Sequence, residues 1–556
     1  MAHSRTVSVL CAALLIIPAS LPQAQETSSP QTFDVRGTVL NSVTHEPIAR
    51  VLVTLAGANS SSLLTDNEGR FDFANIPAGR SMLQARRPGF FALGSGRDLD
   101  LPIAVEPNVP DHVLQLEPAG VIEGHIILPS SDSGSNIRVQ LMRRTIQEGR
   151  ARWQPFGMKV TNSEGTFRFG NLQPGDYKLN TVASIDPDVA SSQAPVRWGF
   201  PSASYPQEGG DNAAGFLKIS PGQQLNAELS LTRVPFYSVT IPVANPQGYS
   251  MQISNENGRL NDVSMFYDSR QQQFRAWLPS GSYTVSIQTY PPTPGFMSQP
   301  ITVRNTPVRM GSLAVLPIHP IPVTIHKEFA STNSPPQIIE IENGKQVEFS
   351  RDVNLMFFSV AGDESDGVNI RHEPGSDDSS WLLENALPGR YWVQAYANQG
   401  YVASITSGET DLARDSLVIG PGGAAAPIDI VLRNDMATLS VRVKNGSPQP
   451  MESTSPSENF LLQAPVQAPL GYLYLVPQFA TSSGVQESIP LQQTVNIPNL
   501  QPGTYRVFAL DHPVDLEYHN PKALQEYADR GQTVTLEPNG TASIDLDVTS
   551  AESTQP

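Results

Sequence analysis

The sequence predicts an all-β protein, a row of about five tandem β-sandwich modules with one short helix near the C-terminus. Three observations carry that prediction. Val, Ile, Leu and Phe are spread in short alternating runs between turn-formers, 49 Pro and 41 Gly among 556 residues, as half-buried strands require. A phrase built around a Pro-Gly turn recurs five times. The chain is also too long for one hydrophobic core, because cores stop growing at roughly 250–300 residues.

Residues 1–25 read as a secretory signal. Arg5 supplies the positive start, "VSVLCAALLII" the apolar stretch and "PASLPQAQ" the small residues for cleavage. Pro18 and Pro22 cut the apolar run short of the about 20 residues a spanning helix needs, so the mature chain is expected to hold no transmembrane segment. The single cysteine, Cys11, lies inside this signal, and the "SVL" before it lacks the small residue of a lipoprotein signal. The expected product is exported (periplasmic, cell-surface or extracellular) and free of thiols. It must then rely on cores of ordinary size, which modules of about 100 residues can supply. A formal charge of -17 and a pI near 5.0 argue against nucleic acid or an anionic membrane surface as main partner.

Aligned on their turns, the five copies are "GRFDFANIPAGRSMLQA" with Pro77 and Gly79, "GTFRFGNLQPGDYKLNTVA" with Pro174, Gly175 and Tyr177, "QFRAWLPSGSYTVSIQ" with Pro279, Gly281 and Tyr283, "SWLLENALPGRYWVQAYA" with Pro388, Gly389 and Tyr391, and "QTVNIPNLQPGTYRVFALD" with Pro502, Gly503 and Tyr505. The glycines lie 96, 106, 108 and 114 residues apart, longer than solenoid or propeller periods and long enough for a domain. Alternating residues enter and leave each turn, so each copy reads as a structural β-hairpin. In the "LQPG" copies Pro takes the second turn position and Gly follows where type II geometry needs positive φ. The tyrosines fall on the inward face, where packing with a satisfied hydroxyl is the expected role.

A looser phrase closes the modules, as in "IAVEPNVPDHVLQL", "LKISPGQQLNAELSL", "LVIGPGGAAAPIDIVL" and "VTLEPNGTASIDLDV"; the third module has only "ITVRNTPVRMGSLAV". Opening strands such as "VIEGHIIL" and "ATLSVRVK" follow directly. The expected division is therefore 26–118, 119–233, 234–317, 318–436 and 437–550, with a tail at 551–556. In the last module "NPKALQEYADRG" predicts a short helix, with Asn520 as N-cap, Pro521 at the first helical position and Gly531 as a stop. Its expected place is over one end of the sandwich.

The first module resembles the carboxypeptidase regulatory-like domain, a transthyretin-like β-sandwich found beside the catalytic domain of some zinc carboxypeptidases and in bacterial surface and secreted proteins. The residues that carry the resemblance are Val35, Gly37, Val39, Pro47, Val51, Val53 and Leu55 in "VRGTVLNSVTHEPIARVLVTLAG", followed by "TDNEGRFDFANIPAG". It covers roughly residues 33 to 116 and is also similar to the carbohydrate-binding-like fold, which includes starch-binding modules. The second module keeps the later half in "TNSEGTFRFGNLQPG" and departs in its opening strands. The last resembles the C-terminal region of large bacterial secreted proteins built from such repeats. The resemblance implies tandem immunoglobulin/transthyretin-like sandwiches and very little activity.

Chemistry-bearing patterns are sparse. A zinc carboxypeptidase needs two histidines and a glutamate on the metal, and no His-x-x-Glu pair with a distant histidine stands in a helical setting. "DHPVDLEYHN", with His512, Asp515, Glu517 and His519, is the nearest approach to a metal cluster, and a solvated loop is its plainer reading. "GDESDGVN" (362–369) and "GSDDSS" (375–380) lack the ordered spacing of a calcium loop, and "TDNEG" (65–69) reads as a hairpin turn. There is no Gly-x-Ser-x-Gly elbow, and "GPGG" (420–423) lacks the Lys-Ser or Lys-Thr of a phosphate loop. No cofactor, metal or catalytic residue is therefore assigned.

Sugar binding would need exposed rings. Trp153, Trp198, Phe200 and Tyr290 stand in expected loops and are the candidate ligand-binding residues, against the alternative that they cap sandwich ends or module contacts. Trp277, Trp381 and Trp392 fall on expected strands and read as structural. The sequence thus points to a non-catalytic exported binding or structural protein, with polysaccharide or an envelope or extracellular protein as partner. The alternative is an accessory subunit of an extracytoplasmic peptidase or glycoside hydrolase, or a hydrolase with an unrecognised site.

Overall fold

The computed structural model describes residues 31–57, 60–92, 99–107, 109–129, 136–147, 149–185, 194–206, 215–243, 249–255, 258–260, 263, 265–290, 294–311, 315–329, 337–342, 345–350, 353–360, 365–366, 369–373, 379–444, 470–478, 484–490, 494–511, 513–527 and 529–550. The expected signal and tail, His512 and most of the two acidic loops lie outside these residues. The described chain is nearly all strand, with one α-helix and one 3₁₀ turn among its elements. No described helix is long and apolar enough to cross a membrane.

Five clusters of buried apolar residues follow one another along the chain, spanning 35–116, 122–231, 237–310, 321–432 and 437–546. One strand plan surrounds all five. An opening strand pairs antiparallel with the incoming strand of the Pro-Gly phrase and parallel with the closing strand. Thr32–Asn41 does so with Arg70–Pro77 and His112–Pro118, and Gly120–Ile127 with Thr166–Leu172 and Gln224–Ser230. Val234–Pro242 follows with Gln273–Leu278 and Val308–Arg309, and Ile321–Glu328 with Ser380–Glu384 and Ile428–Arg433. Ala437–Lys444 completes the set with Thr494–Leu500 and Thr541–Thr549.

The Pro-Gly phrase is not a hairpin. Its outgoing strand pairs in the facing layer: Gly79–Arg86 with Leu52–Ala56, Gly175–Thr181 with Arg138–Gln147, Gly281–Thr289 with Tyr249–Asn255, Gly389–Ala397 with Val353–Ser359, and Gly503–Leu510 with Leu470–Pro477. Each turn is a corner that carries the chain across the core. Strand alternation does not separate a hairpin from a corner, because a period of two is the same whichever neighbour a strand pairs with. "TDNEG" likewise turns between strands of different sheets, and Asp66 holds it by accepting from the backbone N–H of Glu68 at 3.0 Å and of Arg70 at 2.7 Å.

Four of the five corners are built on an asparagine four residues before the glycine; the third has Trp277 there. Asn75, Asn171, Asn385 and Asn499 have φ of 59°, 58°, 58° and 61°, a left-handed conformation that Asn tolerates better than most residues. Beside three of them the ladder slips, between Phe33/Val35, Phe169/Leu172 and Ala437/Leu439, and a bulge bends the strand away from its sheet. The glycines that follow are more extended than a type II turn. Gly79, Gly175 and Gly503 have φ of 142°, 145° and 148°, which essentially glycine alone reaches.

The corner tyrosines close the turn from inside. Tyr177 Oη donates to the carbonyl of Gln173 at 2.7 Å, Tyr283 to that of Pro279 at 2.9 Å and Tyr505 to that of Gln501 at 2.8 Å. All three rings are buried in their cores, so the hydroxyl would otherwise lose its water without a partner. The first and second opening strands share a further device. Gly37 faces Phe71 and Gly124 faces Phe167 across the ladder, and a Cβ would come within 2.4 Å and 2.1 Å of those ring tips. The second module therefore keeps the Val35-Gly37-Val39 pattern as Ile122-Gly124-Ile126, a correspondence hidden by its different flanking residues.

The expected helix runs Pro521–Gln525, with the Asn520 side chain accepting from Lys522 N at 3.1 Å. It packs over a sheet face rather than an end. Tyr527 stacks on Phe508 and Phe508 on Tyr474, with centroids 5.5 and 5.3 Å apart, forming a second small core with Leu516 and Leu510.

Candidate functional site

The second sandwich carries a long hairpin, Arg138–Gln147 paired with Arg150–Val160 from Gln147↔Arg150 outward. Its tip reaches two other modules. Gly149 has φ of 68° and lies flat against the Tyr518 ring, where a Cβ would approach within 2.5 Å. The Gly149 carbonyl accepts from His519 N at 3.0 Å, and Arg144 Nη2 meets Glu517 Oε2 at 2.7 Å. On its other side, Arg150 sits 3.9 Å over the Trp392 ring and Arg152 4.0 Å over Phe358. Second, fourth and fifth sandwiches thus meet at one hairpin.

A cavity of about 240 Å³ opens there, lined by Arg150, Arg152, Ser359, Trp392, Glu517 and His519 among others. Arg152 is buried, and Arg150 is half-buried beside it on the same face of the strand. Burial, and then the neighbouring Arg152 charge, lower the Arg150 guanidinium below its ordinary value, while Tyr518 opposes the shift. Arginine remains cationic through such changes. The one carboxylate on the wall, Glu517, is already engaged by Arg144.

The residues singled out in the sequence as ligand-binding do not gather here. Trp153, Trp198 and Phe200 lie on strands rather than loops, in Arg150–Val160 and Val196–Phe200. Val196–Phe200 adds itself to the third sandwich, pairing with Val234–Pro242, while Trp277 Nε1 donates to Ala194 O at 3.0 Å. The surrounding Pro, Gly and polar residues suggested a loop, and pairing with distant partners, Val234–Pro242 on one side and Ser184–Ile185 on the other, makes the segment a strand. Trp153 is half-buried, with Lys178 Nζ 4.3 Å over its ring and Phe216 at 6.1 Å. Phe200 is buried in the second core, which removes it from stacking on a ligand. Trp198 and Tyr290 remain exposed, at 54% and 48%, beside the two different sheets of the third sandwich.

Trp277 and Trp381 are buried, whereas Trp392 turns its half-buried ring toward Arg150. Its signal in sequence was weak: an extra aromatic beside the corner tyrosine Tyr391. Among the described residues no three His, Cys, Asp or Glu side chains gather as a metal site, and residues 513–520 form no strand. "GPGG" forms a 3₁₀ turn, Pro421–Gly423, in which Gly422 O accepts from His319 N at 3.0 Å. It joins the fourth module to the linker before it.

Among curated proteins none matches the chain. Of solved structures, the chain is similar to the Bacillus anthracis TIE protein at 14% identity and a TM-score of 0.17, covering 51% of this chain and 50% of that one, so it spans about half that protein's length. It is similar to the minor pilin of Streptococcus agalactiae at 13% identity and a TM-score of 0.20, covering 36% of this chain and 97% of that one. The shaft pilin SpaA of Lactobacillus rhamnosus GG matches at 10% identity and a TM-score of 0.20, with 37% and 98% covered. The resemblance read from Val35, Gly37 and the "TDNEG" turn is matched by a family model: residues 34–104 fit the carboxypeptidase regulatory-like domain.

Proposed function

We propose that the chain is a non-catalytic, exported binding or structural protein. Its five sandwiches divide at 118, 233, 317 and 436 and fold back on one another instead of extending as a rod. The observation that carries this reading is the second-module hairpin, which contacts the fourth module through Arg150 and Trp392 and the fifth through Arg144 and Glu517. The repeated residues are spent on the sandwich itself, in bulged asparagines, corner glycines and buried tyrosines. Recognition is left to what differs between modules, and of the four candidate aromatics Trp198 and Tyr290 are the exposed rings suited to a sugar face.

Glycan-array binding by the mature chain that disappears in Trp198→Ala supports a polysaccharide partner. A blank array with a captured envelope protein moves the reading to adhesion or scaffolding. Reproducible turnover of peptide or glycoside substrates by the purified chain overturns the non-catalytic assignment.

A further inference from the structure

We propose that a second cavity at this hairpin, between its tip and the fifth sandwich, binds a small organic ammonium ion held by Asp515 and the Tyr518 ring. The cavity is about 160 Å³ and is lined by Ile146 and Gly149 of the hairpin and by Tyr474, Gln486, Asp515 and Tyr518 of the fifth sandwich, among others. Two glycines leave room beside Tyr518. Gly149 meets one edge of the ring and Gly484 the opposite edge, and a Cβ would come within 2.5 Å and 2.9 Å of it.

The aromatic stack of the fifth sandwich ends at this space. Tyr527, Phe508 and Tyr474 follow one another at 5.5 and 5.3 Å. Phe508 faces Tyr474 across one ladder and Gln486 faces it across the other, so the cavity beside Gln486 lies on the side of Tyr474 away from Phe508. Ile146 and Leu516 add apolar wall. Aromatic and apolar surface around a positive head suits a methylated ammonium above all, since ring faces attract its charge and it has no N–H left to satisfy.

Charge selects the sign of the ligand. Among the described residues the exposed Asp515 makes no hydrogen bond or ion pair, whereas Glu517, two residues on, is held by Arg144 at 2.7 Å. The hairpin's own cations are placed elsewhere, Arg144 at Glu517 and Arg150 over Trp392. An unpaired carboxylate in a chain of formal charge -17 draws cations. Size restricts the choice further, because about 160 Å³ is the space of about five waters at ~30 Å³ each, which matches the five heavy atoms of a trimethylammonium head. This inference stands apart from the Trp198 surface, so its failure leaves the function proposed above untouched.

The test is titration calorimetry and thermal melting of the full mature chain, with choline, ethylammonium, dimethylbutanol (the uncharged isostere of choline) and acetate as probes. Saturable choline binding with a raised melting midpoint is expected, because a ligand held between two sandwiches stabilises their contact by mass action. Asp515→Asn should leave the melt of the free protein unchanged and weaken binding roughly two- to fivefold, as loss of a partly exposed pair does. Tyr518→Leu removes the ring face and should weaken it roughly threefold or more. Choline binding more tightly than ethylammonium supports the methylated head; ethylammonium binding as tightly supports the site and assigns a primary amine as its source. Equal binding of dimethylbutanol or acetate, no binding of either ammonium probe, or unchanged affinity in Asp515→Asn overturns the proposal.

Discussion

Arg144 Nη2 lies 2.7 Å from Glu517 Oε2, joining residues 373 positions apart. Both side chains are partly shielded, at 32% and 17% exposure. The pair is one side of a contact whose other side is the Gly149 backbone against Tyr518. Arg144→Ala is expected to cost about 1 kcal/mol, the upper range for a partly exposed pair. Gly149→Val should do more, because its Cβ would enter the Tyr518 ring at a positive φ. Small-angle scattering should then show a larger radius of gyration, and limited proteolysis new cleavage near the hairpin tip.

The corner tyrosines give a second test. Tyr505→Phe removes the 2.8 Å bond to Gln501 while leaving the ring in place, and should cost about 1 kcal/mol. Tyr505→Ala also empties the core and should cost ~3–5 kcal/mol. Denaturant titration of the two variants separates bond from packing.

Gly124 is expected to be intolerant of any side chain. A Cβ there would lie 2.1 Å from the Phe167 ring tip and 2.7 Å from the Ala227 carbonyl. Gly124→Val should destabilise by ~1–3 kcal/mol through overpacking, and the paired change to a smaller residue at Phe167 should recover part of the loss in a double-mutant cycle.

Alkaline pH should loosen the modules. Burial pushes Tyr177, Tyr283 and Tyr474 up to about 12 from an ordinary value near 10. A raised folded value means the unfolded chain ionises first. The stabilisation is whole below pH ~10 and is lost as pH climbs from about 10 to 12. Tyrosinate absorbance followed with circular dichroism should show these rings titrating together with loss of structure.

Two neighbours on one strand should respond in opposite ways. Phe200 is buried in the second core, and Phe200→Ala should lower stability by ~3–5 kcal/mol. Trp198 is exposed, so Trp198→Ala should stay within ~0.5 kcal/mol in a thermal melt. Any loss of ligand binding in Trp198→Ala then reports recognition, not unfolding.

The start of the helix was legible residue by residue, because Asn520 and Pro521 act locally on the backbone beside them, whereas it ends at Glu526 and not at the expected stop, Gly531. The asparagines were visible four residues before four of the five glycines, with Trp277 in that place before Gly281, but their meaning was not. An Asn in a turn-rich phrase fits a hairpin as well as a bulge, and only the partner strand distinguishes them. The candidate aromatics Trp198 and Phe200 were expected in a loop for a related reason. Whether Trp198 and Phe200 occupy a loop depends on partner strands at Val234–Pro242 and Ser184–Ile185, which no local pattern in 196–200 announces.

By itself the sequence determined the all-β class, the recurrence of the module and the inward face of its tyrosines, since all three follow from short-range alternation, turn chemistry and spacing. The tertiary structure decided that each repeated turn is a corner between layers. It also decided that Val196–Phe200 serves the next module and that a hairpin of the second sandwich closes on the fourth and fifth. Those outcomes depend on pairing between segments up to hundreds of residues apart. Strand alternation records which side of a chain is apolar, but not which partner will cover it.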